Sequence, residues 1–228
     1  MKEGKPITAS LEHVVYYPSK AANEYPTILV LHGRGTDEND LIPLVFSLGL
    51  ADALVISPRA PQPFDLSGGF AWYDLSQQDV PHPQTFHTSL DLLRRFITEI
   101  KAGYPLNPKR IILLGFSQGA VMAYAATLLA PASFSGVAAL SGYIPQRSGL
   151  SFDLGRLGGF SAFVSHGTYD RTIPVRLGRE SAELLKKAGA NVEYREYPMG
   201  HEVREETIRD LAAWTKNQLE QRETPGAI

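Results

Sequence analysis

The 228-residue chain contains no cysteine. This absence excludes disulfides, thiolate zinc sites, iron–sulfur clusters and cysteine nucleophiles, and it fits a reducing compartment. The sequence also lacks an apolar run long enough to span a bilayer. Residues 1–20 lack the apolar core of a secretory signal. We therefore expect a cytoplasmic protein with no stable insertion into a membrane.

Charged residues of the two signs are nearly equal in number. The chain has 22 Lys and Arg against 24 Asp and Glu, a formal net charge of −2, and no block of basic residues. This balance argues against a nucleic-acid partner. Apolar residues make up 43% of the chain and charged residues 20%, as in ordinary globular proteins. The length favours a single domain over residues 1–228.

Short β-rich runs alternate with longer helical patterns. Predicted strands cover residues 11–17, 27–31, 53–57, 110–114, 136–140, 162–165 and 191–197, and predicted helices cover residues 39–48, 84–102, 118–129, 176–188 and 203–218. This alternation implies an α/β fold with a mostly parallel central sheet and helices on both faces. Ligands of such sheets bind beyond the carboxyl ends of the strands. The segments that follow strands directly are therefore the candidates for function.

One of these segments, residues 115–119, reads Gly-Phe-Ser-Gln-Gly. A serine on a sharp strand-to-helix turn needs glycine two residues to either side, because larger side chains would collide there. The motif follows the strand RIILL and precedes a helix of small residues, which is the context that it requires. Ser117 is therefore the predicted nucleophile.

A serine hydroxyl needs a neighbouring base. Five of the six histidines are explained more simply by packing, by solvation or by hydrogen bonds that shape loops. These five are His13, His32, His82, His87 and His166. His201 follows the last predicted strand and precedes the terminal helix, which is where the order Ser…Asp…His places a base. His201 is the predicted base.

The acid that orients this base should lie between Ser117 and His201 in the chain. Asp170 follows a predicted strand in HGTYDRTIP, and Asp153 is the alternative in a looser setting. We favour Asp170 because it lies in a loop that directly follows a strand, and because it falls between Ser117 and His201 in the chain. Its local alternatives are to cap the helix that begins near Val175 or to pair with an arginine.

Two backbone N–H groups are expected to form an oxyanion hole. One belongs to Gln118, the residue after the nucleophile, and the second to Arg34 in the His-Gly-Arg-Gly loop that follows TILVL. This loop lacks the third glycine of a dinucleotide fingerprint and the GK[ST] of a P-loop. The acidic residues 37, 38 and 40 are interpreted as the start of a helix rather than as a metal site. No metal or cofactor is expected.

Residues 59–83 form a long irregular excursion rich in proline, glycine and aromatic residues. Such excursions in compact domains are often functional, and this one is expected to act as a flap over the site. Its apolar residues line an acyl pocket in one interpretation and pack the excursion onto the body in the other. These residues are Phe64, Leu66, Phe70 and Trp72.

Four motifs, LHGRGTDEND, GFSQGA, HGTYDRTIP and GHEV, stand in this order together with AWYDLS. They resemble the phospholipase/carboxylesterase family of α/β-hydrolases, which also contains the acyl-protein thioesterases. The resemblance extends from about Tyr25 to Trp214. It implies an α/β-hydrolase fold without a large cap domain. It also implies hydrolysis of carboxylic esters or thioesters, with Ser117, Asp170 and His201 as the catalytic residues.

The chain departs from the thioesterase-type members of that family. Arg34 stands where those members tend to have a small or apolar residue, and the flap is short. Short to medium acyl esters are therefore the expected small-molecule substrates. The alternatives are an acyl thioesterase or lysophospholipase, a feruloyl-type aromatic esterase, and an inactive binding protein of the same fold. Members of the family often form homodimers, and a homodimer is the assembly that the resemblance suggests.

Overall fold

The computed structural model describes residues 1–64, 68–77, 79–152 and 154–220. In these residues eight strands form one twisted sheet in the order β1-β2-β4-β3-β9-β10-β11-β12. The pairs β1–β2 and β2–β4 are antiparallel, and the other pairs are parallel. The mostly parallel α/β sheet expected from the sequence is therefore confirmed.

The elements are bounded as follows. The strands of the sheet are β1 Lys2–Glu3, β2 His13–Tyr17, β3 Tyr25–Leu31, β4 Leu54–Pro58, β9 Leu106–Phe116, β10 Gly136–Leu140, β11 Ser161–Gly167 and β12 Asn191–Tyr197. Four short strands lie outside the sheet, β5 Gln62–Pro63, β6 Phe70–Ala71, β7 Leu75–Gln77 and β8 Val80–Pro81. The helices are α1 Ile42–Ser47, α2 Pro83–Gly103, α3 Gln118–Leu129, α4 Val175–Lys187 and α5 Glu205–Glu220.

Both faces of the sheet are covered by helices. In β3, Leu29 and Leu31 pack in the core on the side of α2, α3 and α4, whereas Ile28 and Val30 pack in the core on the side of α1 and α5. Successive residues of a strand point to opposite faces, so a strand buried on both faces is apolar throughout. This explains the uninterrupted run TILVL.

The start of α1 differs from the prediction. The helix begins at Ile42 instead of residue 39, and no side chain caps its first turn. The Asp37 carboxylate instead accepts a hydrogen bond from the backbone N–H of Asn39 at 2.8 Å, and the Glu38 carboxylate pairs with Arg59 at 2.6 Å. The acidic run therefore shapes a turn and binds an arginine, and the interpretation as a helix N-terminus was wrong.

The excursion contains two small antiparallel hairpins, β5–β6 and β7–β8. The first is joined to the loop after β3, because the N–H of Gly35 donates to the carbonyl of Phe70 and the N–H of Phe70 donates to the carbonyl of Thr36, each at 2.8 Å. A Cβ at Gly69 would overlap the carbonyl of Gly35. Glycine at position 69 therefore allows the excursion to lie directly on this loop.

No helix in the described part of the chain combines the length and the hydropathy needed to cross a bilayer.

Candidate active site

Ser117 lies on a strained turn between β9 and α3. Its φ of 54° lies in a region that residues other than glycine seldom adopt. A Cβ at Gly115 would overlap the backbone of Gly119, and a Cβ at Gly119 would overlap the carbonyl of Leu31. Both glycines of the motif are therefore required by sterics, and the turn presents the serine at the carboxyl ends of the strands.

Three predicted residues, distant in sequence, meet at this turn. The Ser117 hydroxyl lies 2.9 Å from Nε2 of His201, and Nδ1 of His201 lies 2.7 Å from Oδ2 of Asp170. A carboxylate only accepts hydrogen bonds, so Nδ1 carries the proton and Nε2 presents its lone pair to the serine. The Asp170 side chain is fully buried, whereas the His201 side chain is 19% exposed.

The loops that carry the histidine and the acid are joined to each other. The N–H of Thr168 donates to the carbonyl of Tyr197 at 2.9 Å, and the N–H of Tyr169 donates to the carbonyl of Met199 at 3.0 Å. A Cβ at Gly167 would overlap the carbonyl of Gly200. The distance between the two loops is therefore fixed by backbone contacts, independently of the ionisable side chains.

The second oxygen of Asp170 has a structural role. Oδ1 accepts the backbone N–H groups of Thr172 at 2.9 Å and Ile173 at 2.8 Å. These two bonds shape the turn before α4, but the N-cap of that helix is Pro174. Asp170 thus supports its own loop and also contacts His201. The alternative acid, Asp153, lies outside the described residues.

His166 reinforces the same turn. Its Nε2–H donates to the carbonyl of Ile173 at 2.8 Å and lies 3.5 Å from Oδ2 of Asp170. Burial lowers the pKa of His166, although the Ile173 carbonyl and the Asp170 carboxylate act in the opposite direction. The loop-shaping role predicted for His166 is confirmed, and the imidazole is held neutral.

His32 has the equivalent role in the loop after β3. Its Nδ1–H donates to the carbonyl of Gly33 at 2.7 Å, and its Nε2 accepts the N–H of Ala60 at 3.0 Å. Burial lowers its pKa, partly offset by the Gly33 carbonyl. The prediction that His32 shapes a loop is also confirmed.

The remaining histidines lie away from Ser117. The buried ring of His13 packs in the core, with its Nε2 2.6 Å from the hydroxyl of Tyr104. His82 precedes α2, and the ring of His87 lies 2.9 Å from the carbonyl of Ser148.

The two residues predicted to donate to the oxyanion line the same cavity as the serine. A Cβ at Gly33 would come within 3.7 Å of the Ser117 Cβ, so the backbone of the His-Gly-Arg-Gly loop closely approaches the nucleophile. Arg34, Ser117 and Gln118 line one cavity. Within the described residues, neither the N–H of Arg34 nor that of Gln118 has a protein acceptor. Both N–H groups can therefore donate to a ligand.

The Gln118 side chain holds the excursion in place. Its Oε1 accepts the backbone N–H of Trp72 at 3.0 Å, and its Nε2 donates to the carbonyl of Tyr73 at 2.7 Å. The indole N–H of Trp72 in turn donates to the carbonyl of His32 at 3.0 Å. The excursion, the nucleophile turn and the oxyanion loop are thus joined by three hydrogen bonds. Sequence reasoning assigned no role to the Gln118 side chain.

A cavity of about 350 Å³ opens beside Ser117 and His201. Its apolar wall consists of Phe64, Leu75, Ile173 and the ring of Tyr73. Phe64 also lies under the Arg34 guanidinium, whose central carbon is 4.4 Å from the ring centroid. The volume is at the lower end of the range for ligand pockets, which suits a small substrate.

The four aromatic and apolar residues predicted to line a pocket have different positions. Phe64 lines the cavity, and Leu66 lies outside the described residues. Phe70 and Trp72 are not part of its wall, which corrects the pocket interpretation for these two residues. Trp72 is fully buried, and the Phe70 ring lies 4.7 Å from the Arg59 guanidinium. Both residues hold the excursion on the body, which is the packing alternative.

Several wall residues were not predicted. Tyr143, Thr172 and Ile173 come from loops after β10 and β11, and Asp79 comes from the second hairpin. Burial raises the pKa of Tyr143 to about 12. Burial also raises the pKa of Asp79, with Arg176 acting in the opposite direction. The positions of Thr172 and Ile173 just after Asp170 could have suggested them, whereas no local pattern marks Tyr143 or Asp79.

A larger depression of about 660 Å³ lies at the opposite end of the molecule, near the start of β3 and β4. None of the residues predicted to act in catalysis or substrate binding lines it. Size alone therefore does not identify the site. Among the described residues, no group of three or more histidine and acidic side chains is placed to hold a metal ion.

Comparison with known proteins agrees with this geometry. Residues 13–219 match the model of the family described as Phospholipase/Carboxylesterase. The chain belongs to this family. An α/β-hydrolase fold and a hydrolase activity, both expected from the sequence motifs, are thereby confirmed.

Relatives within this family match most of the chain. It is 30% identical over 223 residues to acyl-protein thioesterase 1 of Candida albicans, covering 89% of this chain and 96% of the relative. It is 29% identical over 205 residues to carboxylesterase SOBER1 of Arabidopsis thaliana, covering 84% and 90%. The crystal structure of a carboxylesterase from Mesorhizobium loti superposes with a TM-score of 0.82 at 21% identity, covering 95% and 99%, which supports the fold.

Proposed function

We propose that this protein is a serine carboxylesterase that hydrolyses short to medium acyl esters through an acyl-enzyme. The observation that supports the proposal most directly is the continuous path from the Ser117 hydroxyl to His201 and on to Asp170, with contacts of 2.9 and 2.7 Å. Such an arrangement activates a serine hydroxyl at neutral pH.

In the first half of the reaction, the Ser117 oxygen attacks the ester carbonyl carbon and its proton passes to Nε2 of His201. The N–H groups of Arg34 and Gln118 stabilise the oxyanion, and the dipole of α3 adds positive potential at this end of the helix. The bond to the alcohol breaks, and the alcohol leaves with the proton from His201. The acyl group remains on Ser117.

In the second half, a water molecule donates a proton to His201 and attacks the acyl carbonyl. The same donors stabilise the second oxyanion, and the carboxylic acid leaves as Ser117 regains its proton from His201. Asp170 keeps its charge throughout and stabilises the imidazolium. The preference for short to medium acyl groups rests on the cavity of about 350 Å³ and on Arg34 in its wall.

The test is a series of p-nitrophenyl esters from acetate to laurate, assayed with the wild type and with Ser117→Ala. We expect activity to decline toward laurate, and Ser117→Ala to reduce kcat by at least about a thousandfold. Ser165→Ala is the matched control, because Ser165 is a buried serine in β11, which β10 separates from the strand that leads to Ser117. A folded wild type without turnover would favour an inactive binding protein.

Thioester hydrolysis is the second candidate, favoured by the similarity to an acyl-protein thioesterase. The same machinery cleaves both bond types, so the comparison needs matched substrates. Ethyl butyrate and ethyl thiobutyrate differ only in the leaving atom. A kcat/KM that is higher for ethyl butyrate supports the esterase, and the reverse order supports the thioesterase. The cytoplasmic location and the homodimer remain predictions.

A further inference from the structure

The wall of the active-site cavity contains one carboxylate with no catalytic role in the proposed mechanism. Asp79 lines the cavity together with Ser117 and His201, and its side chain is 13% exposed. It lies in the turn between β7 and β8 with a φ of 59°. Aspartate tolerates this left-handed conformation in tight turns, and here the turn places a charged group in a mostly apolar cavity.

The hydrogen-bonding capacity of Asp79 is unused within the described residues. The nearest cation, the Arg176 guanidinium, is 4.0 Å away, which is beyond hydrogen-bond distance. No hydrogen bond joins the buried hydroxyl of the neighbouring Tyr143 to Asp79, and the Tyr143 hydroxyl interacts instead with that of Tyr73. Because Asp79 is only partly buried, water or a ligand can supply the donors that its free lone pairs require.

The charges around Asp79 restrict the kind of donor that fits. Arg176 partly compensates the carboxylate, and Arg34 lines the same cavity. The two guanidinium groups disfavour an ammonium group on the substrate because like charges repel each other, although Glu180, 3.5 Å from Arg176, offsets part of this repulsion. A neutral hydroxyl avoids this repulsion and still forms a strong hydrogen bond to a carboxylate.

We propose that Asp79 is a specificity determinant that selects esters bearing a hydroxyl group remote from the scissile bond, with the hydroxyl donating to the Asp79 carboxylate. The carbon skeleton lies against Phe64, Leu75 and Ile173. The inference rests on the proposed esterase function and narrows its substrate class. The hydroxyl belongs either to the acyl group or to the alcohol, and the two sources are separable by experiment.

The experiment compares kcat/KM for esters that differ only in a hydroxyl or a methyl group. In the acyl arm, methyl 6-hydroxyhexanoate is paired with methyl heptanoate, and methyl 3-(4-hydroxyphenyl)propanoate with its 4-methylphenyl analogue. In the alcohol arm, 6-hydroxyhexyl acetate is paired with heptyl acetate, and 2-(4-hydroxyphenyl)ethyl acetate with its 4-methylphenyl analogue. Methyl 6-aminohexanoate tests the ammonium group.

We expect the wild type to prefer the hydroxyl ester by at least about tenfold in one arm, the size of effect expected when a binding site is left with an unpaired charged acceptor. Asp79→Leu should abolish this preference, and Asp79→Asn should reduce it. Asp74→Leu and Asp74→Asn are matched controls and should retain it, because Asp74 is exposed on the same excursion and does not line the cavity. The ratio is taken within each variant, so a general loss of activity or stability cancels.

Equal rates for hydroxyl and methyl esters in all four pairs would overturn the inference, as would a hydroxyl preference that survives in Asp79→Leu. A preference for the amino ester would overturn the choice of a neutral donor. These outcomes are distinct from a failure of the proposed function. Absence of all ester turnover in the folded wild type would refute the esterase itself, whereas turnover without a hydroxyl preference refutes only the role of Asp79.

Discussion

The Oε1 atom of Gln118 accepts the backbone N–H of Trp72 at 3.0 Å, so the residue after the nucleophile also anchors the excursion. The same amide donates to the carbonyl of Tyr73, whose ring lines the cavity. Gln118 therefore contributes in two ways. In the proposed mechanism its backbone N–H donates to the oxyanion, and its side chain holds Tyr73 in the wall of the cavity.

Gln118→Ala should leave the Trp72 N–H unpaired in a buried position while keeping the backbone donor. We expect a loss of about 1–3 kcal/mol in the free energy of unfolding, as for other unsatisfied buried groups. We also expect kcat/KM to fall by about tenfold or more, because the wall that includes Tyr73 loses its support. Chemical denaturation and kinetics with p-nitrophenyl butyrate measure the two effects. Gln84→Ala, at an exposed position, is the control. Unchanged stability and kinetics would show that the excursion is held by other contacts.

Asp170→Asn should change the tautomer of His201 while preserving the loop. The asparagine oxygen can still accept the N–H groups of Thr172 and Ile173. Its NH₂ group would face Nδ1 of His201 and favour a proton on Nε2, which can then no longer accept the serine proton. We expect kcat to fall by about 10⁴-fold with little change in melting temperature. Asp91→Asn, an exposed aspartate on α2, should have no effect. A reduction in kcat below about threefold would mean that Asp170 does not orient the base.

Gly119→Ala tests the steric requirement of the nucleophile turn. The added Cβ would overlap the Leu31 carbonyl, so β3 and α3 would have to separate. The expected loss in the free energy of unfolding is about 3 kcal/mol or more, at the upper end of the range for overpacking. Gly158→Ala is the matched control, since a Cβ there meets no atom within 4 Å. Equal stability of the two variants would contradict the close approach of these backbones.

The stability of the protein should fall as the pH drops from 7 to 5. Burial lowers the pKa values of His13, His32 and His166 below the ordinary 6.5. Between pH 6.5 and these lower values the unfolded chain binds more protons than the folded chain, so stability present above pH 6.5 is lost as the pH falls. We expect the melting temperature to decline by several degrees over this interval. His82→Gln, at an exposed histidine, should show the same decline. A constant or rising melting temperature would contradict the account of neutral buried imidazoles.

The sequence predicted most helices and strands well, because the periodicity of hydrophobic residues that marks them is a local property of the chain. The bounds of α3, β10 and β12 agree with the prediction to the residue. The predicted start of α1 was wrong because Pro43 lacks the backbone N–H that a helix starting at residue 39 would need there. The helix begins instead at Ile42, with Pro43 in its first turn. The pairing of Glu38 with Arg59 is a contact between residues distant in sequence, which no local pattern indicates.

The sequence predicted the three catalytic residues better than it predicted the wall of the cavity. Ser117, Asp170 and His201 each follow the carboxyl end of a strand, and these ends lie on the same side of the sheet. Their positions in the chain therefore indicated that they would meet. The cavity wall depends instead on how the excursion lies on the body. Trp72 turned inward as an anchor, and Asp79 was placed in the wall by a hairpin of very short strands.

In the proposed mechanism, Ser117 forms the covalent intermediate. Treatment of the folded protein with diisopropyl fluorophosphate, followed by peptide mass spectrometry to locate the adduct, tests this step. We expect one diisopropylphosphoryl group per chain, on the peptide that contains Ser117, with no labelling of Ser117→Ala and strongly slowed labelling of His201→Ala. Labelling of Ser117→Ala at the wild-type rate, or an adduct on another residue of the wild type, would contradict it.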